Sequence, residues 1–276
     1  LDVDNYIELI HFHIKNGTNG LVPAGTTGES PTLSHEEHEK VIELCINETK
    51  GKIPVIAGTG SNSTEEAISL TKHAEEAGAD AALLVTPYYN KPTQEGLYQH
   101  YKAINDSCGI PLIIYNIPSR SVIDITVDTM ARLFELKNIV GVKDATGILD
   151  RVNQQKEKMG NDFIQLTGED ANVLEFNKRG GIGCISVTAN IAPKLCSDFQ
   201  KFSLSKNNNE IKEAERINDL LQPVHKSLFI ESNPSPVKYA AKLLNLCSDE
   251  VRLPLVKVTN STKESIKNAL VSAKLI

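Results

Sequence analysis

Lys143 lies in the stretch VGVKDATG (140–147), which otherwise reads as a buried strand. An ammonium among apolar side chains loses hydration, and burial disfavours the charged form of a lysine and lowers its pKa. A neutral amine attacks a ketone and an ammonium cannot, so imine formation is the chemistry open to such a residue. Ile139, Gly141 and Lys143 share one face by the two-residue period of a strand, and small Gly141 leaves room beside the lysine stem. On the strand pattern before it, Ile113 and Tyr115 share a parity, which aims Tyr115 at Lys143 if the two strands are neighbours. The competing reading puts Lys143 at a strand tip, reaching out to water or paired with Asp144.

Other chemistry-bearing residues cluster where strand patterns end. GTTGES (25–30) offers backbone N–H groups and two hydroxyls that can hold a carboxylate, or it is an ordinary tight turn leading to a capped helix at Ser34. It is no Walker loop, because no lysine follows the glycine, and GTGSNS (58–63) lacks the last glycine of a dinucleotide fingerprint. Arg120, in NIPSR beyond Tyr115, is either a fork for a second carboxylate or a surface arginine. His35 and His38 stand three apart on one helical pattern; no third ligand presents itself, so a solvated helix face is the simpler reading and no metal is expected.

The elements that must position these groups follow a repeating plan. Apolar strand patterns occur at 20–27, 54–60, 81–87, 111–118, 139–146, 163–170 and 183–190. They are nearly continuous apolar runs, as expected of strands covered on both faces. Amphipathic patterns at 4–17, 34–50, 63–80, 93–109 and 126–137 predict helices, the second with a capping box of Ser34 and Glu37. The βα unit recurs every ~25–30 residues, which predicts a parallel sheet with helical crossovers. After residue 192 only helices are predicted, near 193–206, 208–229, 234–245 and 261–274. Polar strand ends converge at the mouth of a barrel or at the switch crevice of an open sheet, and periodicity leaves both open.

Composition narrows the partners. The 276 residues carry a net charge of −6 and no basic stripe, which argues against nucleic acid or an anionic membrane. Five widely spaced cysteines without a C-x-x-C pattern read as reduced thiols of a cytosolic protein.

Taken in order, PAGTTGESPTLSHEEH, PVIAGTGSNSTEEAISL, VTPYYNKPTQEGLYQHY, IIYNIPSRS, GVKDATG, GGIGCISVTANIAP and NPSPVKYAAKLL closely resemble the 4-hydroxy-tetrahydrodipicolinate synthases, within the class I aldolase superfamily that includes N-acetylneuraminate lyase. The resemblance runs from about residue 4 to the C-terminus. It implies a (β/α)8 TIM barrel over 1–192 and, over 193–276, the last barrel helix with a C-terminal helical extension. It also implies a first strand upstream of the first helix, so the chain is expected to begin after that strand and Leu1 not to be the native start; a plastid leader upstream stays open.

By the same resemblance Lys143 forms a Schiff base with pyruvate and Tyr115 relays protons. Thr27 is the relay hydroxyl between two tyrosines, and Tyr89 reaches in from a neighbouring subunit of a homotetramer. Thr26 and Thr27 bind the keto-acid carboxylate, and Arg120 receives the carboxylate of L-aspartate 4-semialdehyde. Gly168 and Ile185 line the pocket with backbone carbonyls. No cofactor beyond the covalent imine is implied. Ser30, His35, His38, Asn62, Glu66 and Tyr88 match a site for L-lysine as inhibitor. A sibling aldolase tends to differ at GTTGES and to lack the arginine matched by Arg120; a non-catalytic pyruvate or lysine sensor would not need the whole relay.

Overall fold

The computed structural model describes all 276 residues. In chain order the first elements are α1 (Val3–Lys15), α2 (His35–Thr49), β1 (Ile56–Gly58), α3 (Thr64–Ala77), β2 (Ala81–Val85), α4 (Gln94–Ser107) and β3 (Leu112–Asn116). Next come α5 (Pro118–Ser121), α6 (Val127–Phe134), β4 (Ile139–Asp144), α7 (Asp150–Met159), β5 (Ile164–Thr167), α8 (Val173–Lys178) and β6 (Gly183–Cys184). Four helices complete the chain: α9 (Pro193–Ser203), α10 (Asn208–Ser227), α11 (Ser235–Leu243) and α12 (Asn260–Ser272). These form two compact units, Pro54–Ile185 on one hand and Leu1–Ile53 with Ser186–Ile276 on the other.

The unit Pro54–Ile185 holds one sheet of six parallel strands in the order β1-β2-β3-β4-β5-β6. Ala82, Leu84, Leu112, Ile114 and Val142 on one face pack against Ala67, Leu97, Tyr101, Ile104, Met130 and Leu133 from the crossover helices. The Tyr101 hydroxyl, fully buried, donates to the Leu84 carbonyl oxygen at 2.8 Å, so this polar tip is satisfied inside the core. Side-chain caps from Ser63, Thr93 and Thr126 start α3, α4 and α6. Each takes one of the helix's first N–H groups, which have no partner within the helix.

Strand β4 departs from simple alternation. Leu112 pairs with Ile139 but Ile113 pairs with Gly141, so the register skips Val140. This bulge turns Ile139 into the helix-side core with Val142, away from the face that carries Gly141 and Lys143. The expected sharing of one face by all three residues therefore holds only for Gly141 and Lys143. Gly141 has a different reason too: a Cβ there would lie 2.3 Å from the Ile164 carbonyl oxygen and 2.5 Å from the Ile164 Cβ. The glycine lets β5 approach rather than making room for a lysine stem.

The unit Leu1–Ile53 with Ser186–Ile276 is helical around a core of Val224, Leu228, Val237, Ala240, Ile266 and Leu270. The capping box is present, with the Ser34 hydroxyl accepting from Glu37 N and the Glu37 carboxylate accepting from Ser34 N at 3.0 Å. The strand expected at 20–27 is not there: Leu21 alone has bridge character and turns follow it. Pro23 has no N–H for a ladder, and Ala24 sits at φ 54°, which breaks an extended path. The strand expected at 183–190 ends at Cys184, and Thr188–Asn190 forms a single 3₁₀ turn. There the Ser186 hydroxyl accepts from Ala189 N at 2.8 Å, a local bond that competes with the ladder.

Asp144, at the end of β4, is gripped from several sides. Arg151 Nε donates to it at 3.0 Å, Gln155 Nε2 at 3.3 Å, and Thr146 donates through its N–H at 2.9 Å and its hydroxyl at 2.6 Å. Arg151 also reaches the Ile125 carbonyl oxygen at 2.7 Å and Asp124 at 3.1 Å. Both partners are about nine-tenths buried. Removing the cation leaves a buried carboxylate uncompensated, so Arg151→Met should cost about 3–5 kcal/mol in urea unfolding. Arg151→Met with Asp144→Asn should cost clearly less than Arg151→Met alone.

Candidate active site

Lys143 is half-buried on the face of the sheet opposite the helix-side core. Tyr115 on β3 and Leu166 on β5 are its register neighbours. Its Nζ lies 4.1 Å from the centroid of the Tyr115 ring, the contact that strand parity pointed to. Beyond β5, the Gly168 N–H donates to the Asp144 carbonyl oxygen at 2.8 Å and carries the chain across the lysine stem. A Cβ on Gly168 would lie 3.0 Å from Lys143 Cε and 2.9 Å from Ala145 Cβ, so the stem has its space because residue 168 is glycine. The alternative pairing of Lys143 with Asp144 is overturned, since Asp144 spends its oxygens on Arg151, Gln155 and Thr146.

Glu169 is a group that reading the sequence missed. Its N–H donates to the Thr167 hydroxyl at 3.0 Å just past the end of β5, and the residue is half-buried. Burial pushes its carboxyl above the ordinary glutamate range; Asp170 and Asp144 push the same way, and the Lys143 charge opposes them. The only hint in the sequence is the acidic pair in TGED, and acidic pairs at strand tips are mostly solvated.

The remaining expected residues of this unit sit after strand ends. Arg120 is exposed on the short helix α5, directly beyond β3. Ile185 follows β6, with its N–H donating to the Thr167 carbonyl oxygen at 3.0 Å. Tyr89, at φ 73°, is 88% exposed, an uncommon backbone for an aromatic residue and a ring without cover in the single chain. Asn62 ties the 59–63 and 86–91 loops together: its Nδ2 donates to the Tyr88 carbonyl oxygen at 3.1 Å, and its own carbonyl accepts from Asn90 Nδ2 at 2.8 Å. The Ser61 hydroxyl donates to Glu66. Burial first, and then the Glu66 charge, raise the Tyr88 phenol above its ordinary value. Asn62, Glu66 and Tyr88 are thus brought together.

In the other unit, Thr26 and Thr27 are half-buried in a turn closed by Glu29 N donating to the Thr26 carbonyl oxygen at 3.1 Å. Asn233 Nδ2 donates to the Thr27 hydroxyl at 3.0 Å. Glu29, at φ 55°, accepts from Lys238 Nζ at 2.6 Å and from Arg252 N at 3.1 Å. Ser30 opens a 3₁₀ turn, His35 is exposed at the start of α2, and His38 is buried on the same helix. No set of three or more His, Cys, Asp or Glu side chains gathers as metal ligands.

The titration of Glu169 has a measurable sign. A carboxyl whose folded pKa is raised contributes most stability below its unfolded value and loses it as pH rises through the folded one. Glu169→Gln should therefore melt higher than the native protein at neutral pH, with the difference closing as pH falls into the ordinary glutamate range. Thermal melts across pH check this.

The geometry has close relatives. A 4-hydroxy-tetrahydrodipicolinate synthase of Pelagibacter ubique (strain HTCC1062) is 79% identical over 276 residues, covering 100% of this chain and 94% of that protein. The crystal structure of the chloride-inhibited dihydrodipicolinate synthase from Acinetobacter baumannii, complexed with pyruvate, superposes with a TM-score of 0.97 at 47% identity. That match covers 100% of this chain and 94% of the other. The enzyme from Cyanidioschyzon merolae with lysine bound gives a TM-score of 0.95 at 35% identity, over 100% and 93% of the two chains. The family model described as dihydrodipicolinate synthetase matches residues 1–273. A lysine laid against a tyrosine ring on a parallel strand, in a chain so matched along its length, places this protein in the dihydrodipicolinate synthetase family, and it is a lyase.

Proposed function

We propose that the protein condenses pyruvate with L-aspartate 4-semialdehyde to 4-hydroxy-tetrahydrodipicolinate, in the diaminopimelate route to lysine. The observation that carries this is the Lys143 amine 4.1 Å from the Tyr115 ring centroid, with Gly168 against its stem. The pyruvate-bound relative supports the choice of keto acid.

Lys143 adds to the pyruvate ketone and water leaves, giving a protonated imine that draws electrons from the adjacent methyl group. Loss of a methyl proton yields the enamine, whose carbon attacks the aldehyde of the second substrate. The amine of that substrate then closes the ring onto the imine carbon, expelling and regenerating Lys143. Every step moves a proton, and hydroxyls with ordinary pKa near 10 work better in a hydrogen-bonded relay than alone. Tyr115, Thr27 and Tyr89, the last from a neighbouring subunit, form that relay. Thr26 and Thr27 hold the keto-acid carboxylate, Arg120 takes the carboxylate of the semialdehyde, and backbone carbonyls at Gly168 and Ile185 face the substrates. The chemistry calls for no metal or organic cofactor.

The wider frame is the barrel part of a (β/α)8 fold over 1–192, with the last barrel helix and a helical extension over 193–276, acting as a cytoplasmic homotetramer. Exposed Tyr89 is the feature that asks for a partner subunit. L-lysine inhibits at Ser30, His35, His38, Asn62, Glu66 and Tyr88. The association of Asn62, Glu66 and Tyr88, and the lysine-bound relative, support that assignment.

Borohydride reduction in the presence of pyruvate should add a stable adduct at Lys143 alone, seen by peptide mass mapping; an adduct elsewhere, or none, refutes the reading. Lys143→Met should abolish trapping, and Tyr115→Phe should lower kcat about 10²–10⁴-fold. Turnover should fall with millimolar L-lysine, and Glu66→Gln should remove that response; insensitivity of the native enzyme would count against the inhibitory site.

A further inference from the structure

One tight arrangement beside Thr27 has no part in the reaction proposed above. Asn233 is 5% exposed and stands just ahead of α11. Its Nδ2 donates to Thr27 Oγ1 at 3.0 Å, across 206 residues of chain. The same turn is held a second time by the Lys238–Glu29 ion pair at 2.6 Å and a third by Arg252, whose N–H donates to Glu29 at 3.1 Å. Arg252 also donates to the Thr32 carbonyl oxygen at 2.7 Å and forks onto Glu37. The turn and the start of α11 therefore form one braced piece within their unit.

A threonine hydroxyl carries one hydrogen and two acceptor lone pairs. When an amide N–H occupies a lone pair of Thr27, the hydroxyl hydrogen cannot point back along that bond. It is left to donate to another acceptor. We propose that Asn233 is a positioning residue that sets the direction of the Thr27 hydroxyl so that it donates to the carboxylate of the keto acid on binding, leaving its second lone pair to accept from a tyrosine of the relay. The inference rests on the assignment of Thr27 to the pyruvate carboxylate and adds the residue that orients it. Asn233 touches no substrate in this account; it acts only through Thr27.

The isosteric change Asn233→Asp keeps the shape and removes the donor. Its carboxylate can only accept, so the Thr27 hydroxyl would turn toward it and show a lone pair to the substrate. Asn233→Ala removes the director and leaves the hydroxyl free to rotate. A hydrogen bond to a charged group justifies an effect of about tenfold or more, so Asn233→Asp should raise the pyruvate KM by that factor. The semialdehyde KM should stay within about twofold, and Asn233→Ala should raise the pyruvate KM by a smaller factor. The pyruvate concentration that half-saturates borohydride trapping at Lys143 should shift in the same order.

Equal effects of the two variants, or a parallel rise in both KM values, would mean a purely structural role and overturn the proposal. Should Asn233→Asp fail to fold, Asn233→Ala decides: an unchanged ratio of the two KM values overturns it. Native protein that is not trapped at Lys143 would instead overturn the reading beneath. Native trapping with an unshifted Asn233→Asp would overturn only the role of Asn233.

Discussion

Two adjacent residues on one strand face opposite ways, and the candidate chemistry depends on that opposition. Asp144 is fastened by Arg151, Gln155 and Thr146 on the side of α7, which fixes the rotation of the end of β4. Strand geometry then sends Lys143 to the other face, where Tyr115 meets it. A buried carboxylate is costly unless its partners are complete, and here four donors serve two oxygens. Its satisfaction keeps the neighbouring anion from neutralising the amine by direct pairing. The bulge at Val140 belongs to the same device, because it resets the parity so that Gly141 and Lys143 fall opposite Ile113 and Tyr115.

Much of this was legible in the residues. The parallel βα repeat, the capping box at Ser34 and the facing of Tyr115 and Lys143 all follow from periods of two and 3.6 and from cap chemistry. What escaped has particular causes. A bulge is a backbone insertion without a residue signature here, so strict alternation assigns Ile139 to the wrong face. Apolar GLVPAGTT (20–27) has strand composition, but Pro23 and the left-handed Ala24 make it a turn. Glu169 needed three-dimensional burial, which an acidic pair in a polar loop does not announce. The bond from Asn233 to Thr27 joins positions 206 residues apart, and no periodicity reaches that far.

The helical unit uses its charges in more than one way. Glu37 closes the capping box of α2 and also receives the guanidinium of Arg252. The bonds from Arg252, and then the Ser34 N–H, hold its carboxyl down at about 2. Glu29 likewise serves Lys238 and the Arg252 backbone from a left-handed conformation that an L-residue adopts only when its surroundings insist. The segments around 25–37 and 233–252 are distant in sequence and interdependent in space. A change in either is felt in the other.

The order of the strands has a consequence for how the sheet comes into being. Each strand from β2 to β6 lies beside the one translated immediately before it. Growth can proceed by addition at a single edge as the polypeptide leaves the ribosome, and no strand has to await a partner encoded far downstream. Parallel pairing is ordinarily slow because long loops must close first. Here each closure spans one helix and its turns, with the short α5 added ahead of α6 between β3 and β4, so the ladder that carries Lys143 is assembled from short crossovers.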